Sequence, residues 1–187
     1  MKRTSLVLSC VIIFSCISVS LLYAKTLGNL YEVFEKKALV RVFIDDIEDL
    51  SDSKGAGTAD LKKQLSSALA QRKSIKFKLV DLVDEADIVI DGSVMLFTYS
   101  TKDPVDMIMG IWSAAYDVLT TENYAYQEVI FKITDQKTQN KLWEKTLKIE
   151  LTKKSMTEEE SLPLINKKTV KNFILECFSK SRSNKKR

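Results

Sequence analysis

The chain has 187 residues, of which 45% are apolar and 29% charged, a composition typical of one globular domain with its own core. It contains no histidine, which excludes catalytic arrangements and metal sites that depend on an imidazole. The net charge of +4 comes from residues 2–3 and 180–187, which hold seven Lys and Arg residues around an acidic body. Since nucleic-acid binders carry positive charge on the folded surface, we expect no nucleic-acid partner.

Residues 1–24 have the pattern of an export signal, because Lys2 and Arg3 precede a long apolar stretch. Residues 13–16 resemble a bacterial lipobox, which predicts lipidation at Cys16. Cleavage after Ala24 is a second outcome, and an uncleaved anchor over 5–23 is a third, since a stretch of 19 residues is just long enough to span a bilayer. All three place the body outside the cytoplasm, in the periplasm or on the periplasmic side of the outer membrane.

The body begins with a lead-in over 25–37 and continues as a single domain over 38–179. Residues 39–44 are β-branched and aromatic and predict a buried strand, followed by an acidic loop over 45–52. Asp60 is expected to cap a helix over 61–72. The apolar positions of that helix have the spacing of one buried face: Leu61, Leu65, Ala68 and Leu69.

The second half of the domain predicts strands and one long closing helix. Strands are expected over 75–79 and over 86–97, the latter bent or bulged at Gly92, and a hairpin over 124–152 turns at 136–140. Thr157 and Glu160 form a capping box, but Pro163 is expected to end that helix early. A helix over 164–179 then carries one apolar stripe: Val170, Phe173, Ile174, Cys177 and Phe178.

These elements predict an α+β fold, in which a mixed, largely antiparallel sheet of four to five strands has two helices packed on one face. Only Cys177 remains in the domain outside the signal, so no internal disulfide forms, and its place on the stripe predicts a core residue. Residues 180–187 form a basic tail, either solvated or in contact with anionic lipid or cell-wall polymer.

The apolar insert over 103–119 is the best candidate for a functional surface. Eleven of the fifteen residues from 105 to 119 are apolar. As a helix this stretch would reach about 22 Å, short of the roughly 30 Å hydrocarbon core, so it is not expected to span a bilayer. It is either a core element or a contact surface for a partner, acyl chain or membrane. The partner-binding candidates are Met107, Ile108, Met109, Ile111, Trp112 and Tyr116.

Motifs for catalysis and cofactors are weak. The glycines at 55 and 57 lack the residues that complete a phosphate-binding loop, and the acids at 45–52 do not follow a calcium-loop spacing. A carboxylate enzyme would have to use Asp45, Asp46, Asp84 or Asp87. We therefore expect a protein without a cofactor or metal that is not an enzyme.

Three stretches together carry a family resemblance: VRVF at 40–43, ADIVIDG at 86–92 and ITDQKTQNKLW at 133–143. The chain resembles small bacterial envelope lipoproteins, either the LPS-assembly (LptE-like) family or the CsgG/LpoB-like group. Gln139 stands where the hairpin motif usually has Gly, and the insert at 103–119 is not typical of the LPS-assembly family.

The resemblance implies a non-catalytic envelope lipoprotein. Its expected partners are an outer-membrane barrel or another envelope protein, with a glycolipid as a further ligand and the membrane bound through the lipidated N-terminus. The alternatives are an accessory or regulatory lipoprotein and a periplasmic module that binds acyl chains or glycolipids.

Overall fold

The structure is a computed structural model that describes residues 29–52, 57–102 and 122–180. The helices of this part are α1 (Tyr31–Phe34), α2 (Thr58–Ala70) and α3 (Glu158–Phe178). Its strands are β1 (Val40–Ile44), β2 (Glu48–Asp49), β3 (Phe77–Leu79), β4 (Ile88–Lys102), β5 (Glu122–Asp135) and β6 (Lys141–Lys154). A short 3-10 turn at Val83–Glu85 lies between β3 and β4.

The strands form one mixed sheet in the order β3-β1-β4-β5-β6, and the two-residue β2 pairs with β4. β1 is parallel to β3 and β4, whereas β4, β5 and β6 form a long antiparallel ladder. The parallel pair β1–β3 is joined through α2, because parallel neighbours need a crossover connection. The α+β prediction is confirmed, with β2 as an additional short strand inside the acidic loop.

One face of the sheet is covered by helices and the other is open. On β5 every second residue from Asn123 to Ile133 is buried, which is the period of two that a half-covered strand requires. α2 buries Leu61, Leu65 and Leu69 against this face. α3 adds the predicted stripe, all of it buried: Val170, Phe173, Ile174, Cys177 and Phe178.

The core is continuous along the covered face. In the described chain all its side chains lie between Leu30 and Phe178. Cys177 is a fully buried core residue, as predicted, and burial raises the pKa of its thiol. Lys145 interrupts the apolar face of β6 and reaches out to Glu176 of α3, 2.6 Å away.

The start of α2 differs from the prediction. The capping residue is Gly57, with φ of +66°, and Asp60 lies inside the first turn. The Asp60 carboxylate accepts hydrogen bonds from Gln64 (2.7 Å) and from Asn166 of α3 (3.0 Å). A tertiary contact with α3 therefore holds the carboxylate that the sequence assigned to a local cap.

The expectation that Pro163 ends the helix was wrong. The capping box of Thr157 and Glu160 is present, and α3 continues through Pro163 to Phe178. The proline is the sixth helical residue and removes a single backbone bond, to the carbonyl of Glu159. Glu159 is exposed, so water can satisfy that carbonyl, and the buried residues that follow hold the helix on the sheet.

The irregularity in β4 is also displaced. The register shift falls at Met95, between Val94 and Leu96, and not at Gly92. Gly92 stays in register opposite Phe131, and a Cβ atom there would lie 3.2 Å from the ring. The glycine thus accommodates an aromatic ring, and the strand bulges three residues later.

Candidate binding groove between the long helices

The residues on which the sequence-based site rested lie outside the described chain. Residues 103–119, with the candidates Met107 to Tyr116, belong to the connection between β4 and β5, and Cys16 precedes residue 29. The flanking strand ends are in register, since Lys102 pairs with Glu122. The contact surface at 103–119 and the lipidation at Cys16 stay predictions.

The acidic candidates are not gathered into one site. Asp87 lies beside Arg41, whose backbone N–H and Nη2 each donate to its carboxylate at 2.9 Å, and these bonds lower the pKa of Asp87. Asp46 pairs with Lys62 at 2.6 Å, and this pairing lowers the pKa of Asp46. Asp45 is four residues beyond Arg41, about 13 Å along an extended strand. Asp87 and Asp46 therefore serve separate ion pairs.

Within the described ranges, no three His, Cys, Asp or Glu side chains come together as a metal site. In the same part of the chain, no helix combines the length and apolar character needed to cross a bilayer.

An open groove of about 740 Å³ runs between α2 and α3 on the side turned away from the sheet. Such a volume lies within the range of ligand sites in proteins. Its apolar lining consists of Ala68 on α2 and Pro163, Leu164, Val170, Ile174 and Leu175 on α3. Its polar lining consists of Gln64, Ser67 and Gln71 on α2 and Lys167 and Lys171 on α3.

The groove follows from helical spacing. Its α3 residues recur at intervals of three or four, which places them on one stripe along the helix. The facing positions of α2 include the small side chains Ser67 and Ala68, which leave space between the helices. At one end Gln64 donates from Nε2 to the Pro163 carbonyl at 3.1 Å, which ties the two helices together.

The lining is suited to binding an amphiphile. Leu164 is 36% exposed and Leu175 is 51% exposed, so both present apolar surface to a ligand. Lys167 and Lys171 are exposed and lie one turn apart on the same helix. The lining residues include no carboxylate. An apolar chain that ends in an anionic group would find both kinds of contact here.

The sequence analysis did not find this groove. It recognised the α3 stripe that faces the sheet, because five large apolar residues recur there. The outward stripe mixes Leu164 and Leu175 with two lysines and is typical of a solvated face. The apolar Leu175 among polar residues was the sequence feature that could have indicated the groove. It indicates a binding surface only because α2 lies beside it in the fold.

Comparisons with known proteins show the fold and no closer relation. No family model matches the chain, and no curated protein matches it. Among solved structures, the hypothetical protein CT253 from Chlamydia trachomatis is 9% identical with a TM-score of 0.51, over 73% of this chain and 94% of that one. The PelC dodecamer from Paraburkholderia phytofirmans is 12% identical with a TM-score of 0.50, over 74% of this chain and 89% of that one.

A third similar structure is lipoprotein GNA1162 from Neisseria meningitidis, 10% identical with a TM-score of 0.41, over 72% of this chain and 97% of that one. At such identities the shared property is the fold. This chain therefore has the α+β fold found in CT253 and PelC.

Proposed function

We propose that this protein is an exported lipoprotein of the bacterial cell envelope that acts by binding and not by catalysis. The basic start, the apolar stretch and the lipobox-like residues before Cys16 support export and lipidation. Cys16 precedes Asn29, the first described residue, by 13 positions, so a lipid at Cys16 would hold the described part of the chain near a membrane.

The observation that carries the binding role is the groove between α2 and α3. It offers apolar side chains and two lysines to one ligand, and its lining has no carboxylate for proton transfer. We propose that its occupant is an amphiphile with an acyl chain and an anionic group. This chemistry fits the LPS-assembly resemblance, because lipopolysaccharide carries acyl chains and phosphates.

An accessory or regulatory lipoprotein, similar to the CsgG/LpoB-like group, is the second candidate. It rests on the apolar insert at 103–119, whose aromatic and Met side chains would contact a protein partner. In that case replacing Ile111 and Trp112 by Ser removes partner capture and leaves the circular-dichroism melt unchanged. A large loss of stability would show instead that both are core residues.

The mass of the mature N-terminus tests the lipoprotein proposal. A diacylated Cys16 is the expected result, and Cys16→Ser should abolish the added diacylglycerol mass. Chains that start at Lys25 or Met1 would contradict lipidation, and unprocessed protein in the cytosol would contradict export as well.

The groove is tested with anilinonaphthalene sulfonate, a dye with an apolar ring system and one anionic group. The protein used is residues 25–187, which includes every core residue of the described chain. Leu164→Gln with Leu175→Gln, and separately Lys167→Gln with Lys171→Gln, should each weaken dye binding. The controls Leu82→Gln and Lys78→Gln change exposed residues away from the groove. Equal losses in the controls would contradict the proposed site.

A further inference from the structure

Both ends of the described domain lie at the same end of the molecule. The Leu30 N–H donates to the carbonyl of Cys177 at 2.7 Å, and the Asn29 side chain donates to the carbonyl of Ser179. The Phe34 ring contacts the Phe178 ring, with centroids 6.2 Å apart. The chain therefore enters and leaves the domain side by side, at the carboxyl end of α3.

Two further segments gather around the same point. Arg72, just beyond α2, donates to the carbonyl of Phe178. Phe77, at the start of β3, places its ring 5.1 Å from that of Phe178. The turn between β5 and β6 adjoins the group, because the Gln136 N–H donates to the Asp87 carbonyl at 3.1 Å and Asp87 is bound by Arg41 of β1. We call residues 29–39, 71–76, 136–140 and 179–180 the terminal pole.

The terminal pole is strongly basic. Its acidic residues are only Glu32 and Glu35. Its basic residues are Lys36, Lys37, Arg72, Lys73, Lys76, Lys137 and Lys180. The six lysines are exposed and form no ion pair within the described chain. Lys37 also lies over the Phe34 ring, 5.3 Å from its centroid, and near Asp87 and Asp135, two acids that border the pole.

Two segments away from the terminal pole have an excess of acidic residues. Residues 45–52 follow the carboxyl end of β1 and hold five acids and no base. Residues 153–160 lead into α3, whose other end reaches the terminal pole, and they hold three glutamates and two lysines. The described part of the chain is thus polarised, with its positive end where its first and last residues, Asn29 and Lys180, lie.

Helix termini account for only part of this polarity. Glutamates at the start of α3 and Arg72 beyond α2 have the signs that helix dipoles favour. Lys36, Lys37 and Lys137 belong to turns next to strands or to α1, so the dipoles of the long helices do not require them. The dipoles of the long helices therefore leave the charge of these three lysines unexplained.

The sequence on either side of the pole is also consistent with a site near anionic lipid. Four of the seven residues at 181–187 are basic: Arg182, Lys185, Lys186 and Arg187. On the other side Cys16 precedes Asn29 by 13 residues, which reach at most about 45 Å when extended. A lipid on Cys16 would therefore keep the basic pole close to the bilayer.

We infer that the terminal pole rests on an anionic lipid surface and orients the domain, with the acidic segments directed away from the membrane. This inference deepens the proposed function and takes its setting from the lipidated N-terminus. The recognised chemistry is a layer of anionic headgroups, attracted over about one Debye length.

Vesicle co-sedimentation tests the inference on residues 25–187, the chain expected from cleavage after Ala24, which lacks the lipid and includes every core residue of the described chain. A circular-dichroism melt first confirms that this protein is folded. We expect binding to vesicles of equal parts phosphatidylglycerol and phosphatidylcholine, and little to phosphatidylcholine alone. Lys73→Gln with Lys76→Gln should weaken the affinity for anionic vesicles about tenfold or more, because each basic residue near such a surface contributes about fivefold. The matched control is Lys153→Gln with Lys154→Gln, which removes equal charge from exposed residues at the other end of the molecule.

Three results would overturn the inference: equal binding to both vesicle types, equal weakening by both pairs of substitutions, and binding that does not fall with added salt. The outcome is separate from that of the proposed function. If Cys16 is not lipidated, the lipoprotein proposal is wrong, but the vesicle-binding result is unaffected. If Cys16 is lipidated and residues 25–187 do not bind anionic vesicles, only the inference about orientation on the membrane is wrong.

Discussion

Gly92 shows how one residue decides the packing of the central strand. A Cβ atom at this position would lie 3.2 and 3.3 Å from two ring carbons of Phe131 and 3.4 Å from Ile47. The Phe131 ring is fully buried and also contacts Phe173, with centroids 4.6 Å apart, so it has little room to move. The absence of a side chain at Gly92 is therefore what lets α3 approach the sheet here.

Replacing Gly92 by Ala should destabilise the protein by about 1–3 kcal/mol, because a methyl group would overpack the core. Urea unfolding measures the difference. The adjacent control Ser93→Ala, on the open face, should stay within about 0.5 kcal/mol. Equal stability of Gly92→Ala and the wild type would contradict this account of the strand.

The ion pair between Asp87 and Arg41 makes the folding stability of the protein depend on pH in the acid range. Hydrogen bonds from Arg41 lower its pKa below the ordinary value of 3.8, against the opposing effect of burial. A carboxyl group with a lowered folded-state pKa contributes stability above its unfolded-state pKa, and that contribution is lost as the pH falls through the folded-state pKa.

We expect Asp87→Asn to be less stable than the wild type at neutral pH and to lose less stability below pH 3.8. Urea unfolding midpoints measured from neutral pH down into this acid range give the pH dependence of stability for the wild type and for the variant. Asp84→Asn is the control, since it removes an exposed carboxylate that forms no ion pair in the described chain. Parallel slopes for Asp87→Asn and the wild type would contradict the role of the Arg41 pair.

At the scale of elements, a buried polar network joins β5, α2 and α3. Gln127 donates to Asn166 at 2.9 Å and accepts from Thr169 at 2.7 Å, and all three side chains are fully buried. Asn166 donates onward to the Gly57 carbonyl at 3.1 Å. These bonds fix the rotation of α3 and the start of α2, which together set the width of the groove.

Asn166→Ala should cost about 2–3 kcal/mol, because the buried Gln127 amide loses its acceptor and the Gly57 carbonyl and Asp60 carboxylate each lose one donor. It should also weaken dye binding in the groove at temperatures where the protein is fully folded. Asn172→Ala, on a half-buried position of the same helix, is the matched control. Calorimetry and dye titration measure the two effects, and a stability loss as small as that of the control would argue against the network.

At the scale of the whole molecule, the Phe178 ring packs near both ends of the described chain. Its ring contacts Phe34 of α1, Phe77 of β3 and Phe173 of α3. The terminal pole therefore owes its shape to one side chain near the end of the last helix, and the inferred membrane-facing surface depends on it.

Phe178→Ala should lower the free energy of unfolding by about 3–5 kcal/mol, since it leaves a cavity between α1, β3 and α3. Leu175→Ala on the same helix should cost about 0.5 kcal/mol or less, because that side chain is half exposed. Chemical denaturation distinguishes them. Similar costs for both would mean that the pole is not held by this contact.

The sequence by itself determined the alternating strands, the buried stripe of α3, the capping box at Thr157 and the core position of Cys177. Each is a local periodicity or a contact within one turn, so neighbouring residues contain the whole signal. It also pointed to Gln139, which replaces the expected Gly and adopts φ of +57° in the hairpin turn.

Only the tertiary structure decided the cap of α2, the continuation of α3 through Pro163 and the place of the β4 bulge. Each depends on a partner far away in sequence, such as Asn166 for Asp60 or Phe131 for Gly92. The groove and the terminal pole arise in the same way. They exist because elements distant in the chain lie side by side, and no single segment carries a pattern for them.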